Sequence, residues 1–560
     1  YMHRSFDSMA AIFGILQAGA AYVPLDSFAP TSPLASILRD CDVRCLITDA
    51  SHVERLKQVA EEYDGLQFLI GPESHEGPPA NSISWEKLYD GSSGTAPDIG
   101  VIEQDLSLIF YTSGSTGKPK GVAHSHRSMI SNVQWALSKF DLTPDDRLCA
   151  VTSHHFDLSW FELFASMASG ATLVLIPEQK VKFAPNLAEE MARERLTVWC
   201  SVPSVLMQLT QRGDLESRDL SSLRWVLFAG ERFPTKHLYE LMSRLPHARY
   251  CNMYGTTETH IAAYYDVPPL PEGFDEPLPI GRACSHVNLM AINEAGEPAA
   301  EGEHGELVVR GPSVMEGYWR QPERTATALV KYRFSPELEG LCYRTGDLVQ
   351  LKPDGNYYIL GRGDRRVKVR GYLIDLDEIE KVFLSNEQVQ ESAVYVLSSD
   401  DDMTQIGAAV ILKPEADTQV SALRAHLSQH LPSYAIPQQI SILADLPRTG
   451  SGKISRRDLQ TQKIEAAGQQ SQTSTQSETL DHSIRGFILG ELLNTADEGS
   501  LTADTDLISS GLVDSLGVMR LINFLEERHQ IVIPDHELVE QNFNNLSSIQ
   551  RLIRRLQQTE

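Results

Sequence analysis

The ten residues from Thr112 to Gly121, TSGSTGKPKG, concentrate groups that could bind a polyphosphate. Glycine lets backbone N–H groups approach an anion closely, while hydroxyls and lysines add donors and positive charge. An apolar run from Leu106 to Tyr111 precedes the loop and predicts a buried strand, and an amphipathic pattern follows Ser125. A Gly/Ser-rich segment can also be a flexible surface loop. The flanking patterns favour a phosphate-binding strand–loop–helix site instead.

The spacing within this loop excludes two common phosphate-binding motifs. The P-loop needs four residues between its first glycine and a Gly-Lys pair that Ser or Thr follows. Here two residues separate Gly114 from Gly117-Lys118, and Pro119 follows the lysine. The dinucleotide-binding pattern GxGxxG occurs nowhere in the chain. We therefore do not expect the nucleotide to be bound as in a P-loop ATPase or a Rossmann dehydrogenase.

Five strings along the chain match, in order, those of one enzyme superfamily. They are YTSGSTGKPKGV at Tyr111–Val122, NMYGTTET at Asn252–Thr259, YRTGDLV at Tyr343–Val349, GRGDRRVKVRGY at Gly361–Tyr372 and RTGSGKISRRDL at Arg448–Leu459. On these strings the chain resembles the adenylate-forming superfamily, which includes acyl-CoA synthetases, luciferases and the adenylation domains of nonribosomal peptide synthetases. The resemblance covers nearly all of the chain up to the end of the last string.

This resemblance implies a site for ATP and Mg²⁺. Tyr254 would stack on adenine, Asp347 would accept hydrogen bonds from the ribose hydroxyls, and Glu258 would help to hold Mg²⁺. Lys453 would neutralise the charge that develops when a carboxylate attacks the α-phosphate. Taken singly, Glu258 and Lys453 would be interpreted as solvated surface residues, but their strings favour catalytic roles. The other nucleotide-binding positions that the resemblance implies are Thr112, Ser113, Gly114, Ser115, Thr116, Gly117, Lys120, Gly230, Glu231, Gly255, Thr257 and Arg362.

Asp157, in the string FDLS, indicates the class of substrate. Amino-acid-activating members of the superfamily pair an aspartate here with the substrate α-ammonium, whereas acyl-CoA synthetases lack it. A buried carboxylate without a partner is costly, so Asp157 implies a cation in the pocket. The other pocket positions that the resemblance implies are apolar or weakly polar: Leu158, Phe161, Cys200, Leu227, Ala229, Met253, Ile261 and Ala262.

These pocket residues predict a small or medium, uncharged substrate side chain. The pattern is most similar to proline-activating members of the stand-alone type, and alanine or valine is the alternative. The choice stays open because a hydrophobic pocket separates near-homologues by only about 1–3 kcal/mol per methylene.

Length and patterning predict several domains in the 560 residues. Strand-like and helical patterns alternate from Leu106 to about Gly361, which indicates an α/β layout. We expect a large α/β adenylation core over residues 1–363, with its N-terminal part truncated. A small α+β subdomain over 364–460 would turn about a hinge at Asp364. A Gln-, Ser- and Thr-rich linker would occupy 461–479.

Residues 480–560 predict a separate four-helix carrier domain. Helical periodicity returns after Leu480, and 13 acidic side chains outnumber 6 basic ones in 481–560. The string DLISSGLVDSL at Asp506–Leu516 resembles a carrier-protein attachment site, so Ser515 would carry 4′-phosphopantetheine. A serine in this setting is more often only a helix N-cap, and Ser515 can also serve as one. An acidic carrier suits basic partner enzymes.

Composition also limits the partners and the location. The net charge of −26 argues against a nucleic-acid partner, which usually requires a basic face. The most apolar stretch is too short and too broken to span a bilayer, and no secretory signal is present. Seven scattered cysteines without a CxxC pair favour reduced thiols. We therefore expect a cytoplasmic protein without a membrane partner.

Together these features predict an adenylation–carrier didomain. It would convert an L-amino acid and MgATP to aminoacyl-AMP and pass the aminoacyl group to the arm on Ser515. Implied partners are a phosphopantetheinyl transferase, downstream synthetase or tailoring enzymes, and a small helper protein of the MbtH type. One alternative is an acyl- or aryl-CoA ligase that loads a carrier, which Asp157 opposes. The other is a degenerate carrier or docking module, which the intact Lys453, Asp347 and phosphate loop oppose.

Overall fold

The computed structural model describes residues 1–27, 29, 31–71, 81–91, 94–95, 97–112, 119–335, 338–362, 365–369, 372–397, 404–413, 416, 418–443, 446–447, 454, 456–461, 480–489, 501–508, 513, 515–529, 531, 533–534 and 537–557. All seven cysteines lie within these residues and carry free thiols.

The first part of the chain forms a small parallel sheet with helices around it. The sheet order is the chain order, and the apolar faces of the helices pack into a local core around Leu34 and Val59. The elements are α1 (Phe6–Gln17), α2 (Thr31–Asp40), β1 (Cys45–Ile47), α3 (Val53–Glu62), β2 (Phe68–Gly71), β3 (Asn81–Ser84) and α4 (Trp85–Asp90).

A β-hairpin carries the predicted phosphate loop. The apolar run forms strand β4 (Leu106–Thr112), which pairs antiparallel with β5 (Lys120–Ser125). Thr112 lies opposite Lys120, so the intervening loop joins the two strands. The loop residues 113–118 themselves lie outside the described residues.

The predicted strand–loop–helix order is corrected to strand–loop–strand–helix. Helix α5 (His126–Phe140) begins only after β5, and the Ser125 hydroxyl caps its first turn by accepting from the Ser128 N–H. All six residues of β5 are buried, polar ones included, so neither an alternating pattern nor an apolar run marks this strand in the sequence.

A mixed seven-stranded sheet forms the centre of the core. Strands β6 to β10 run parallel, and β11 and β12 extend the sheet antiparallel in the order β12-β11-β10-β9-β8-β6-β7. The strands are β6 (Arg147–Ala150), β7 (Thr172–Leu175), β8 (Val198–Ser201), β9 (Trp225–Ala229), β10 (Arg249–Thr256), β11 (His260–Val267) and β12 (Arg282–Ala283). Between these strands lie a π-helical turn at Phe161–Ala165 and several α-helices. The helices are α6 (Ser166–Ser169), α7 (Glu178–Val181), α8 (Ala184–Arg193), α9 (Pro203–Arg212) and α10 (Thr235–Arg244).

Side chains of the central strands alternate between two apolar cores. Cys200, Leu227 and Met253 face the core under α5, whereas Trp199 and Phe228 face the core under α8 to α10. Successive residues of a strand point to opposite faces, and parallel strands are usually buried on both. The first core also contains the remaining apolar pocket residues predicted from the sequence: Leu158, Phe161, Ala229, Ile261 and Ala262.

A five-stranded antiparallel sheet follows and carries the predicted ribose-binding residues. Strands β14, β17 and β18 are neighbours within it, and the short β15 instead pairs with β5. The elements are β13 (Asn288–Ile292), β14 (His304–Arg310), β15 (Gly317–Tyr318), α11 (Pro322–Ala328), β16 (Leu329–Ser335), β17 (Leu338–Leu351) and β18 (Tyr357–Arg362).

The segment after β18 forms an α+β unit with its own apolar core around Ile379 and Leu423. It consists of a two-stranded hairpin and a three-stranded sheet packed against helices. The elements are β19 (Arg366–Val369), β20 (Tyr372–Asp375), α12 (Leu376–Ser385), β21 (Val389–Leu397), β22 (Gln405–Leu412), α13 (Val420–His430), β23 (Gln439–Ile442) and α14 (Arg456–Thr461).

The described C-terminal residues are helical and surround a separate apolar core that includes Leu521 and Ile549. Helix α16 begins at Ser515, close to the start of the helix that the sequence predicts at Leu516–Glu527. The helices are α15 (Leu480–Phe487), α16 (Ser515–His529), α17 (Glu540–Phe543) and α18 (Leu546–Gln557). Across the part of the chain that the structure describes, no helix combines the length and apolar character needed to cross a membrane.

Candidate active site

A cleft opens where the central strands end. Its floor comes from β4, β9, β10 and the segment before Phe161, and its roof comes from the β19–β20 hairpin and Tyr434. Residues predicted from distant strings therefore meet in one place. Those that line the cleft are Thr112, Asp157, Leu158, Ala229, Gly230, Gly255, Thr257 and Ile261.

Asp157 is fixed at the edge of the apolar floor. The Thr257 hydroxyl donates a 2.6 Å hydrogen bond to Asp157 Oδ2. Burial raises the pKa of the Asp157 carboxyl, although the Thr257 bond and the Lys368 ammonium act in the opposite direction. Because a buried carboxylate is stabilised by a cation, this position suits an ammonium group.

Some of the predicted apolar pocket residues line the cleft directly, and the others support it from within the apolar core. Leu158, Ala229 and Ile261 line the cleft. The other predicted pocket residues lie in the same apolar core, and one of them, Met253, pairs across the strands with the lining residue Ala229. Those that are in this core without lining the cleft are Phe161, Cys200, Leu227, Met253 and Ala262.

Asp347 links the two side chains predicted to flank the nucleoside. Its Oδ2 accepts a hydrogen bond from the Tyr254 hydroxyl, and its Oδ1 accepts one from Arg362. Arg362 also donates to the Thr345 carbonyl at 2.9 Å. The register that places Asp347 opposite Arg362 on β17 and β18 creates this group. A carboxylate held beside an aromatic ring in this way can bind ribose while the ring contacts a base.

Glu258 is held by a buried cation. Lys120 Nζ donates to Glu258 Oε1 at 2.7 Å, and the Tyr318 hydroxyl donates to the same oxygen at 2.8 Å. Burial alone would raise the pKa of Glu258, but Lys120 and Tyr318 hold it well below its usual range. Glu258 is therefore ionised at neutral pH.

A single ionised carboxylate fits Mg²⁺ that arrives bound to polyphosphate, because Mg²⁺ usually takes one or two protein carboxylates and completes its shell with phosphate and water. Within the described ranges, no three His, Cys, Asp or Glu side chains are grouped so as to hold a metal by themselves. The donor set thus fits a metal that the nucleotide brings with it.

Three features of the cleft lining fit a bound anion or a close backbone approach. The Thr112 hydroxyl is buried and has no hydrogen-bond partner among the described residues. Gly230 has φ +93°, a conformation that favours glycine. A Cβ at Gly255 would lie 1.6 Å from the His260 carbonyl oxygen, so only glycine fits there. Next to Gly230, Glu231 accepts a 3.3 Å hydrogen bond from the Ser204 N–H.

Lys368 is a site residue for which the sequence analysis gave no role. Its ammonium donates to the Gly255 carbonyl at 3.4 Å and lies 5.7 Å from the centre of the Tyr254 ring. Burial lowers the pKa of Lys368, while Asp347 and Asp157 raise it. The signal for Lys368 was its place in the string at Gly361–Tyr372, where it is the only lysine.

Two tyrosines complete the roof and were also missed. The rings of Tyr372 and Tyr434 stack at 3.7 Å and 7°, and Tyr372 also contacts Phe156 at 5.4 Å. They lie on two different elements of the α+β unit, so no local pattern brings them together.

Several predicted site residues lie outside the described residues. These are Ser113, Gly114, Ser115, Thr116, Gly117, Asp364 and Lys453. Ser515, predicted to carry the arm, is the first residue of α16.

Comparison with known families identifies three regions. The family of AMP-binding enzymes matches residues 1–319, the AMP-binding enzyme C-terminal domain matches 378–453, and a phosphopantetheine attachment site matches 487–556.

Individual relatives agree with this order. An L-proline–[L-prolyl-carrier protein] ligase of Pseudomonas fluorescens is 36% identical over 81% of this chain and 87% of its own. The solved Vibrio cholerae adenylation domain AlmE, in complex with glycyl-adenosine-5′-phosphate, is 28% identical and has a TM-score of 0.71 over 82% of this chain and 87% of its own. A nonribosomal peptide synthetase protein that contains adenylation and carrier domains shares the fold, with a TM-score of 0.74 over 99% of this chain and 87% of its own at 21% identity. The chain therefore belongs to the family of AMP-binding enzymes, as an ATP-dependent adenylate-forming ligase joined to a phosphopantetheine carrier domain.

Proposed function

We propose that the chain activates L-proline with ATP and transfers the prolyl group to its own carrier domain. The observation that carries this proposal is Asp157, a buried carboxylate at the edge of an apolar cleft. A cation site beside an apolar floor suits the α-nitrogen and the side chain of a small apolar amino acid. The relative from Pseudomonas fluorescens supports proline as the first choice, and alanine or valine is the second.

In this proposal each group of residues has a separate task. Asp157 pairs with the ammonium of the amino acid, while Leu158, Ala229 and Ile261 contact its side chain. Tyr254 and Asp347 hold adenosine. These contacts orient the amino-acid carboxylate toward the α-phosphate, which converts a bimolecular reaction into a positioned one.

The first step then needs charge neutralisation. An oxygen of the carboxylate attacks the α-phosphorus, the bond to the β-phosphate breaks, and pyrophosphate leaves. We assign stabilisation of the developing charge to Lys453, and Glu258 would hold Mg²⁺, which would neutralise phosphate charge when bound. Thr112 and the loop that follows it would bind the departing phosphates.

The second step uses the carrier domain. A 4′-phosphopantetheine arm on Ser515 supplies the thiol that accepts the prolyl group, with release of AMP. Turning of the α+β unit about Asp364 would exchange the residues that cover the cleft between the two steps. A phosphopantetheinyl transferase must attach the arm. We propose that downstream synthetase or tailoring enzymes receive the product in the cytoplasm and that a small MbtH-type protein assists the enzyme.

Pyrophosphate exchange tests the substrate directly. The full chain should incorporate labelled pyrophosphate into ATP only when an amino acid is added, with proline above alanine and valine. Intact-mass measurement of the chain carrying the arm should show prolyl transfer, and Ser515→Ala should abolish that transfer while it leaves exchange intact. Absence of exchange with every apolar amino acid would refute the proposal.

The second candidate, an acyl- or aryl-CoA ligase that loads a carrier, predicts a different result. Asp157→Ala should cripple amino-acid activation, because the ammonium loses its partner, but it should leave activation of a plain carboxylic acid largely unchanged. The third candidate, a carrier or docking module without activity, predicts that the chain does not bind ATP.

A further inference from the structure

The connection between α7 and α8 reaches into the carrier domain. Lys182 directly follows α7, and only 8% of it is exposed. Its ammonium donates to the Ile508 carbonyl at 2.9 Å and to the Val513 carbonyl at 3.1 Å. A lysine of the adenylation core thus donates to backbone carbonyls of the carrier domain, which lie more than three hundred residues later in the sequence.

The next residue, Phe183, inserts its aromatic ring into the carrier domain beside this contact. Phe183 is 2% exposed and belongs to an apolar core whose other buried members all come from the carrier domain. Its ring lies 5.9 Å from that of Phe543 on α17. Burial of a phenylalanine side chain removes a large apolar surface from water, so this contact favours the docked carrier.

A third contact lies at the end of α9. Arg212 forms a 3.4 Å ion pair with Glu526 on α16, and both side chains are partly exposed. Glu526 also accepts a 3.0 Å hydrogen bond from the Ile533 N–H, which fixes it within the carrier. We call Lys182, Phe183 and Arg212 the carrier clasp.

The carrier clasp contacts the loop that leads to the attachment serine. Val513 lies two residues before Ser515, and its N–H donates to the Leu507 carbonyl at 2.8 Å. Both carbonyls that bind Lys182 therefore belong to a segment whose ends are tied together. Lys182 thus holds two backbone oxygens of the segment that precedes α16.

The chemistry of the carrier clasp permits release as well as docking. A lysine ammonium is strongly hydrated, so Lys182 returns to water without an unpaired buried charge when the carrier leaves. Hydrogen bonds from a charged donor are directional and stronger than neutral ones. The contact thus selects one orientation of the carrier without holding it permanently.

We propose that the carrier clasp is the docking surface that orients the attachment loop for aminoacyl transfer, with Lys182 as its positioning residue. This proposal rests on the proposed function, because it concerns the transfer step of the same enzyme. The occupant is the chain's own carrier domain. The clasp has no part in binding ATP or the amino acid.

Separate measurement of the two steps tests the carrier clasp. Lys182→Met keeps the aliphatic stem and removes both hydrogen bonds, so single-turnover transfer in the full chain should slow by about tenfold or more. Amino-acid-dependent pyrophosphate exchange should stay unchanged. Lys236→Met, at an exposed position on α10, is the matched control and should alter neither step. Transfer at the wild-type rate in Lys182→Met would overturn the proposal.

A charge exchange adds a readout that general destabilisation does not give. Arg212→Glu and Glu526→Arg should each slow transfer, and the double variant should recover much of the rate. Failure of the double variant to improve on both single variants contradicts a direct role of this pair.

Chemical labelling of lysines tests the carrier clasp without relying on exchange activity. The test therefore applies even if a variant loses exchange or if no amino acid supports exchange. In the wild-type chain Lys182 should react more slowly than Lys236 with an acylating reagent, and Arg212→Glu should speed labelling of Lys182 alone. Equal labelling of both lysines in the wild-type chain would show that the carrier does not dock here, whatever the substrate. Loss of exchange with slow labelling of Lys182 would instead count against the proposed function only.

Discussion

Lys120 and Glu258 form a buried ion pair, 2.7 Å apart, between the strand after the phosphate loop and the turn after β10. The Tyr318 hydroxyl contacts both partners. Two residues that the sequence assigned to phosphate and to metal are thus bound to each other. Their charges are in place before the nucleotide arrives.

The pair predicts a distinctive double-mutant cycle. Removal of one partner leaves the other charge buried, and this usually costs about 3–5 kcal/mol. Lys120→Met and Glu258→Gln should therefore each lower the free energy of unfolding of the core strongly, and the double variant should be less destabilised than the sum. Urea unfolding followed by tryptophan fluorescence measures this, and strictly additive losses would contradict a coupled pair. All three variants should lose exchange activity.

Asp157 predicts that amino-acid binding depends on pH. Burial raises the pKa of this carboxyl, and the protonated form carries no charge to pair with an ammonium. The KM for the amino acid should therefore rise as the pH falls through the raised pKa, while the KM for ATP changes less. Asp157→Asn should raise the KM about 100-fold or more and abolish this pH dependence. A pH profile that is the same in wild type and Asp157→Asn would show that another group titrates.

Lys368 should shift the same profile. Its ammonium lowers the pKa of Asp157, so Lys368→Met should move the rise in KM to higher pH. Lys381→Met, at an exposed position on α12 of the same α+β unit, serves as the control and should leave the profile in place. An unshifted profile in Lys368→Met would mean that the two charges do not interact during amino-acid binding.

His124 predicts a loss of stability in mild acid. It is buried against His260, with ring centres 4.1 Å apart, and its Nε2 donates to the Thr257 carbonyl at 2.7 Å. Burial lowers the pKa of His124 to about 4. The unfolded chain therefore binds the proton first, and stability is lost as the pH falls from above 6.5 toward 4.

Between pH 7 and pH 5 this linkage corresponds to about 2 kcal/mol from His124 alone. His124→Asn should flatten the dependence of the free energy of unfolding on pH, in addition to any loss at pH 7. His430→Gln, at an exposed histidine at the end of α13, should leave the dependence unchanged. If the free energy of unfolding depends equally steeply on pH in wild type and in His124→Asn, His124 is not the cause of that dependence.

The sequence predicted elements best where a local pattern carries them. The sequence predicts a strand at Trp225–Ala229, and β9 has these bounds because it is a short apolar run between Arg224 and Gly230. The sequence also predicts a helix near Leu376–Leu384 and a strand near Glu391–Leu397, and α12 and β21 lie close to these positions. The strand β5 was missed because its burial comes from neighbours on both sides and not from its own composition.

The sequence predicted the site residues that belong to recognisable strings. It did not predict those that reach the cleft only through tertiary packing. Asp157, Tyr254 and Asp347 come from three strings and lie around one cleft, or against it, as the resemblance implies. Lys368 and Tyr434 reach the same cleft only because a later unit folds over it. The spacing of residues along the chain does not predict that these two side chains reach the cleft.

The stacked pair of Tyr372 and Tyr434 has a practical consequence for changing the enzyme's substrate range. The floor of the cleft belongs to the tightly packed central sheet, where a change in volume disturbs a whole core. The tyrosine pair belongs to a separate unit and meets the floor only at its surface. Engineering of the roof is therefore a route to larger amino acids that leaves the folding of the sheet untouched.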